Sequence, residues 1–242
     1  MLCEERLVGN PRDFEAAWKL SRTCYWPGRH VGKEERRDQY EQGIAVARRA
    51  SLMQSGSPAG HFWTAANMGA IAESFGIRAA LRYRSPIRER LEIVLGLDPA
   101  FQQGSVDQAF DRWDFKVPGV FGGSEDRAIE HLERSLTYNP DSTATLFFLA
   151  ETLLEMDRAE EPKARLEHVL AGPPDPEWAP EDREFKVKAQ VLFETLQSLR
   201  SSRLVDPGPG PWNEPRSSTV LIAFGADELH QIADAGPWVG PQ

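Results

Sequence analysis

Cysteine is nearly absent from the chain: Cys3 and Cys24 are the only two among 242 residues. Two are too few for a disulfide framework, and their spacing fits neither a zinc site nor a redox Cys-x-x-Cys motif. No stretch approaches the roughly 18 apolar residues of a membrane span. Where a signal peptide would carry a basic start and an apolar run, the first ten residues carry Glu4 and Glu5, so the chain as written reads as cytoplasmic. Histidine is sparse and scattered, at positions 30, 61, 131, 168 and 230, with no pair at metal-ligand spacing, and no metal or cofactor is expected. P-loop, dinucleotide and Gly-x-Ser-x-Gly fingerprints are missing. The doublet Gly122-Gly123 precedes a helix but lacks the strand and Lys-Ser/Thr of a phosphate cradle. Basic residues are also in deficit, 28 against 37 acidic ones for a net charge of −9, which repels a phosphate backbone and excludes nucleic acid as the expected partner. Arg48-Arg49 and the group Arg82, Arg84, Arg88 and Arg90 read as solvated helix faces. No nucleophile with a base can be nominated, and the carboxylates belong on the wet faces of amphipathic helices. A binding protein is predicted rather than an enzyme.

What is present is apolar periodicity. The hydrophobic share is 40%, enough for an ordinary packed core. Ala128, Leu132, Ser135 and Pro140 follow one another at intervals of four, three and five. Ile87, Leu91, Val94 and Pro99 repeat those intervals, as do Pro162, Leu166, Val169 and Pro174; Gly43, Ala47, Ala50 and Ser55 repeat them without the proline. This small–large–small–proline pattern is that of the second helix of a tetratricopeptide repeat. The ends at positions 55, 99, 140 and 174 are 44, 41 and 34 residues apart, so the last interval has the standard length and the earlier ones carry insertions. Leu146, Leu149, Ala150, Leu153 and Leu154 form a helical stripe, and Phe185, Ala189, Leu192, Phe193, Leu196 and Leu199 form another.

These patterns predict an all-α fold of tetratricopeptide-like antiparallel helix pairs, an α-solenoid. Helices are expected near 11–25, 33–54, 59–75, 77–84, 86–97, 104–116, 124–137, 142–157, 161–171 and 180–200. Ser124 caps one of them, ahead of Glu125 and Asp126, and Pro180 with Glu181 and Asp182 starts another. Residues 1–200 form the repeat domain. Residues 201–242 form a linker and tail, because Asp206-Pro-Gly-Pro-Gly-Pro-Trp212 interrupts any helix; Thr219–Phe224 fits a strand or a short helix equally well.

Aromatic residues concentrate at Tyr25-Trp26, Phe62-Trp63 and Trp113, Phe115 and Phe121, in segments flanking the insertions. Phe62, Ala66, Gly69 and Ala70 leave one helix small along part of its face. Trp63 with Asn67, and Trp113, Phe115, Lys116 and Phe121, are therefore expected to converge on an apolar, ligand-binding cavity. Large rings beside small residues also interlock into solid core, and that alternative stays open at this point. Val117-Pro118-Gly119-Val120-Phe121-Gly122-Gly123 is unusually apolar for a loop and is expected to fold back onto the helices as a plug, lid or interface knob.

Six strings resemble the T-component family of TRAP transporters: Tyr25-Trp-Pro-Gly-Arg-His30, Tyr40-Glu-Gln-Gly-Ile44, Gly60-His-Phe-Trp-Thr-Ala-Ala-Asn-Met-Gly69, Ala80-Leu-Arg-Tyr-Arg-Ser-Pro-Ile87, Arg112-Trp-Asp-Phe-Lys-Val-Pro-Gly-Val-Phe-Gly-Gly123 and Asp175-Pro-Glu-Trp-Ala-Pro-Glu-Asp-Arg-Glu-Phe185. The resemblance spans about Phe14 to Leu199, and Asp114 departs from it where the family leads one to expect an aromatic residue. It implies an accessory role in solute uptake, a TRAP solute-binding protein as partner, and an apolar small molecule as ligand. It further implies a periplasmic or lipid-anchored location, with a native start upstream of Met1. A general tetratricopeptide scaffold binding a partner peptide is the competing reading; the homo-oligomeric state is left open.

Overall fold

A computed structural model describes residues 2–28, 31–156, 158 and 161–205. Ten α-helices follow one another along it: α1 Leu2–Gly9, α2 Phe14–Gly28, α3 Lys33–Met53, α4 Pro58–Ser74, α5 Ile77–Leu97, α6 Phe101–Lys116, α7 Glu125–Tyr138, α8 Thr143–Glu155, α9 Pro162–Ala171 and α10 Ala179–Val205. No strand occurs among the described residues. The all-α fold predicted from periodicity is the one observed. No described helix is long and apolar enough to cross a membrane.

Two compact units divide the chain, residues 1–197 and 198–242. Of the second, the described part is the end of α10. The expected Pro/Gly linker from Asp206 and the segment Thr219–Phe224 lie outside the described residues.

Within the first unit consecutive helices pack on one another from α1 through α9, and α4 also meets α2 and α6. The repeat template explains why. Its first three positions are buried in all four sets: Gly43, Ala47, Ala50; Ile87, Leu91, Val94; Ala128, Leu132, Ser135; and Pro162, Leu166, Val169. A helix pair cannot cover both of its apolar faces alone, so neighbours must stack. The expected cap forms as well, the Ser124 hydroxyl accepting from the Arg127 amide at 3.3 Å; Ser142, not foreseen as a cap, starts α8 in the same way by accepting from the Thr145 amide at 3.4 Å.

Three expectations need correction. The unforeseen α1 docks through Cys3 and Leu7 onto the cluster of Ala17, Leu20, Cys24, Val46 and Ala50. Pro86 does not separate two helices, since α5 runs through it from Ile77 to Leu97. An interior proline costs about 3 kcal/mol, and burial of Ile87, Leu91 and Val94 just beyond it, at about 1.5–3 kcal/mol per side chain, outweighs that. The apolar loop folds back only in part. Val117 packs on the core, but Val120 is 88% and Phe121 43% exposed, carried outward on the 3-10 turn Gly119–Phe121.

At its start α6 is irregular: Gln102, Gln103 and Gly104 are all left-handed, with φ of 47°, 59° and 86°. The backbone passes so close to α7 that a Cβ at Gly104 would lie 3.0 Å from both Ser135 Oγ and the Tyr138 ring.

α4 is among the most enclosed elements. Eleven of its 17 residues are buried, Ala59, Gly60 and Ala65 among them. Gly60 lies where a Cβ would come within 2.5 Å of the Ser51 backbone nitrogen in α3, an obstacle that cannot rotate away. Replacing Gly60 with Ala is expected to force α3 and α4 apart at a cost of about 1–3 kcal/mol. At roughly 2–4 °C per kcal/mol for a domain of this size, a thermal melt followed by circular dichroism reads it directly.

Candidate functional site

α2 carries an arginine held between tryptophans. The Arg22 guanidinium of α2 lies 5.9 Å from the ring centre of Trp63 in α4 and 5.3 Å from that of Trp178, just ahead of α10. Tyr25 meets Trp63 edge-on at 5.9 Å, and Phe62 meets it at 5.3 Å and 87°. Phe101 continues the rings, 5.4 Å from Phe62. Glu181 stands beside them. Burial raises its carboxyl above the ordinary value, while Arg22 and a hydrogen bond from Trp26 pull it back. Charge, aromatic faces and hydrogen-bonding groups meet here on three helices distant in sequence, a mixture suited to recognition.

The six residues expected to share a cavity are distributed as follows. Trp63 and Trp113 are buried in one apolar cluster. Asn67 is fully buried one turn after Trp63; its Nδ2 donates to the Trp63 carbonyl at 2.9 Å and to Ser21 Oγ at 3.1 Å. A Cβ at Gly43 would overlap the Asn67 amide, so α3 needs glycine there. Trp113 donates through Nε1 to the Arg84 carbonyl at 2.9 Å, with the Arg88 guanidinium 5.2 Å from its ring. Phe121 sits at the surface under Arg84, 5.4 Å away. Phe115 and Lys116 belong elsewhere: Phe115 is half-buried between the Arg112 and Lys116 cations, and exposed Lys116 reaches toward Glu151 of α8 at 4.0 Å. Trp63 Nε1 and Asn67 Oδ1 are buried without hydrogen-bond partners among the described residues.

Two family models match the chain. Residues 1–118 match the one described as Regulator of microtubule dynamics protein 1-3, and residues 123–180 match a tetratricopeptide repeat. Neither description names a TRAP T component. No curated protein matches the chain. The first match ends just after α6 and the second begins just before α7, so the α6/α7 interface joins the two segments.

That interface is polar to an unusual degree. Asp107, Asp111 and Asp114 follow at intervals of four and three along α6, and all three are buried. Arg127, His131 and Arg134 repeat those intervals on α7, and the antiparallel helices bring the stripes together. Asp114 Oδ1 accepts from Arg127 Nη2 at 2.7 Å and Nε at 3.1 Å. His131 donates through Nδ1 to Asp107 at 2.7 Å, its Nε2 lies 3.8 Å from Asp114, and its ring stacks on Phe110 at 4.9 Å. Arg134 completes the row at 3.3 Å from Asp107. These side chains read in the sequence as solvated faces; only the matched four-and-three spacing of opposite charges on consecutive helices gave a signal of the pairing.

Asp111, between Asp107 and Asp114 on α6, makes no well-formed hydrogen bond through either carboxylate oxygen among the described residues, although the Thr152 hydroxyl of α8 stands close enough to pull on its carboxyl. Burial pushes its carboxyl up to about 8, against an opposing pull from neighbouring Arg112 and Lys116; Glu151 adds to the rise. Near neutral pH the group is therefore held largely as the acid. Because the folded value lies above the unfolded one, the fold is favoured while Asp111 is protonated, and that stabilisation is lost as pH rises from about 4 through about 8. Asp111→Asn is expected to melt higher than the parent at pH 8 by several degrees, with the gap closing toward pH 4. Paired thermal melts across that range check it, and a constant gap would assign the gain to something other than ionisation.

Proposed function

We propose that the chain is a non-catalytic helical-repeat scaffold that holds partner proteins. The observation that carries this reading is the tetratricopeptide match over residues 123–180, in a chain where four copies of the repeat template are buried at corresponding positions. Repeats of this kind offer long surfaces made of many side chains and few reactive groups. Arg22 and Trp178, half-exposed beside buried Trp63, supply an aromatic and charged anchor of the type that dominates interface energetics. In-cell crosslinking with the full chain as bait, followed by mass spectrometry, is expected to give a small set of partners whose crosslinks fall on helices α2–α10. A chain that crosslinks to no protein overturns the reading.

A finer version names the partner as a TRAP solute-binding protein and adds an apolar ligand. Its support is the set of six strings that resemble T components, together with the two unpartnered polar atoms, Trp63 Nε1 and Asn67 Oδ1, buried among rings. Under this version native mass spectrometry of the purified chain finds a bound apolar molecule that a Trp113→Ala, Phe121→Ala double variant loses, and a solute-binding protein appears among the crosslinked partners. If neither is found, the general scaffold remains.

A further inference from the structure

The first half of α5 differs in charge from the chain as a whole. Between residues 77 and 88 it carries Arg78, Arg82, Arg84 and Arg88 with no acidic residue, in a chain of net charge −9. Arg88 is paired with Glu92 at 2.8 Å. Arg78, Arg82 and Arg84 form no ion pair with any carboxylate among the described residues, although acids are plentiful on the chain.

Apolar side chains accompany these cations. Ile77, Leu81, Arg84 and Arg88 stand at i, i+4, i+7 and i+11, one face of a helix. Ile77 is 62% and Leu81 44% exposed. The 3-10 turn extends the same face, because Phe121 lies against the Arg84 guanidinium, while Trp113, beneath Arg88, would meet a Cβ at the adjoining Gly122 at 3.7 Å. Val120 projects next to Phe121 with almost its whole side chain in water. The turn is well supported: Gly122 donates to the Gly119 carbonyl at 2.9 Å, and Ser124 donates to the Asp114 carbonyl at 3.0 Å. A firmly built turn that presents two apolar side chains to solvent beside unpaired arginines is costly for a molecule that never covers it.

We infer that the α5 face with the Val120–Phe121 knob docks an acidic, apolar-bearing segment of a partner protein. Leucine or phenylalanine side chains at helical spacing would cover Ile77, Leu81, Val120 and Phe121, while carboxylates would pair with Arg84 on this face and with Arg78 at its flank. Guanidinium groups match carboxylates two hydrogen bonds at a time, and Arg84 already lies over the Phe121 ring at 5.4 Å. A phosphate-bearing membrane or nucleic acid would also meet the arginines, but its extended surface would face the net negative charge of the remaining chain. A short acidic segment avoids that repulsion. This assignment rests on the scaffold reading and specifies one surface and one partner chemistry for it.

The test is a selection from a phage-displayed random peptide library against the full chain, with the enriched peptides synthesised and their binding followed by fluorescence anisotropy. Enriched sequences are expected to combine Asp or Glu with Leu or Phe. Leu81→Glu with Val120→Glu, both at exposed positions, should weaken them about tenfold or more with an unchanged helical spectrum. Arg84→Gln should weaken them as well and flatten the dependence of binding on salt. Acidic peptides that bind both variants as well as the parent overturn the surface while leaving the scaffold intact; enrichment of non-acidic peptides overturns the partner chemistry. No enrichment overturns the inference, and together with an absence of crosslinked partners it removes the scaffold reading too. Sedimentation with phosphatidylcholine–phosphatidylserine vesicles that the double variant abolishes, or retention of a duplex oligonucleotide, assigns the face to a membrane or to nucleic acid and likewise overturns it.

Discussion

The close approach of α3 and α4 is the constraint on which the first unit depends. α4 touches α2, α3, α5 and α6, so small displacements of this helix are felt in every neighbouring layer. Gly60 admits the α3 backbone, Thr64 ties its hydroxyl to the Gly60 carbonyl at 2.7 Å, and Asn67 fills the space that Gly43 leaves on the facing helix. His61 fastens the other side. It donates through Nε2 to the Ser55 carbonyl and accepts from Arg90 of α5, each at 3.0 Å, and burial lowers its pKa so that the neutral ring this arrangement needs is favoured. A dense interior transmits such contacts because it has little free volume in which to absorb a shift.

A second kind of bond operates at the middle of the chain. Apolar packing dominates up to α5, whereas α6 and α7 meet through buried Asp107 and Asp114, paired with two arginines and a histidine. Paired buried charges stabilise less than an apolar interface of equal area, but each one left unpaired is expensive, so they enforce register. One residue of slip would leave several buried charges without partners at once. The row therefore fixes how the segment matched by one family model is set against the segment matched by the other. Asp111, between those two aspartates on α6, is the exception, an acid kept mostly neutral by its surroundings, and it ties the stability of this junction to pH.

The surface that remains fits a protein whose task is recognition. Aromatic and charged groups gather where α2 meets the approach to α10. A separate basic and apolar face runs along α5 to the turn at Gly119–Phe121. Both assemble side chains from helices far apart in sequence, and both leave groups whose natural complement is another molecule.

The sequence by itself determined the fold class, because a small–large–small pattern at fixed intervals can bury one face of a helix only if another helix covers it. Its buried positions, from Ala47 to Val169, are those the pattern marks. It also determined the cap at Ser124, which depends on local hydrogen bonds alone. Tertiary structure decided the rest. Pro86 sits inside a helix because burial of Ile87, Leu91 and Val94 outweighs a local preference. The aspartates of α6 are core rather than surface, because a second charged stripe with matching spacing arrives from α7. Periodicity separates an apolar face from a polar one, but it does not say whether a polar face meets water or another polar face. Among the six residues grouped for ligand binding, only the packing could separate Trp63, Asn67 and Trp113, which are buried, from Lys116 and Phe121, which are turned to solvent, since side-chain direction at a helix end or in a turn is set by neighbours remote in the chain.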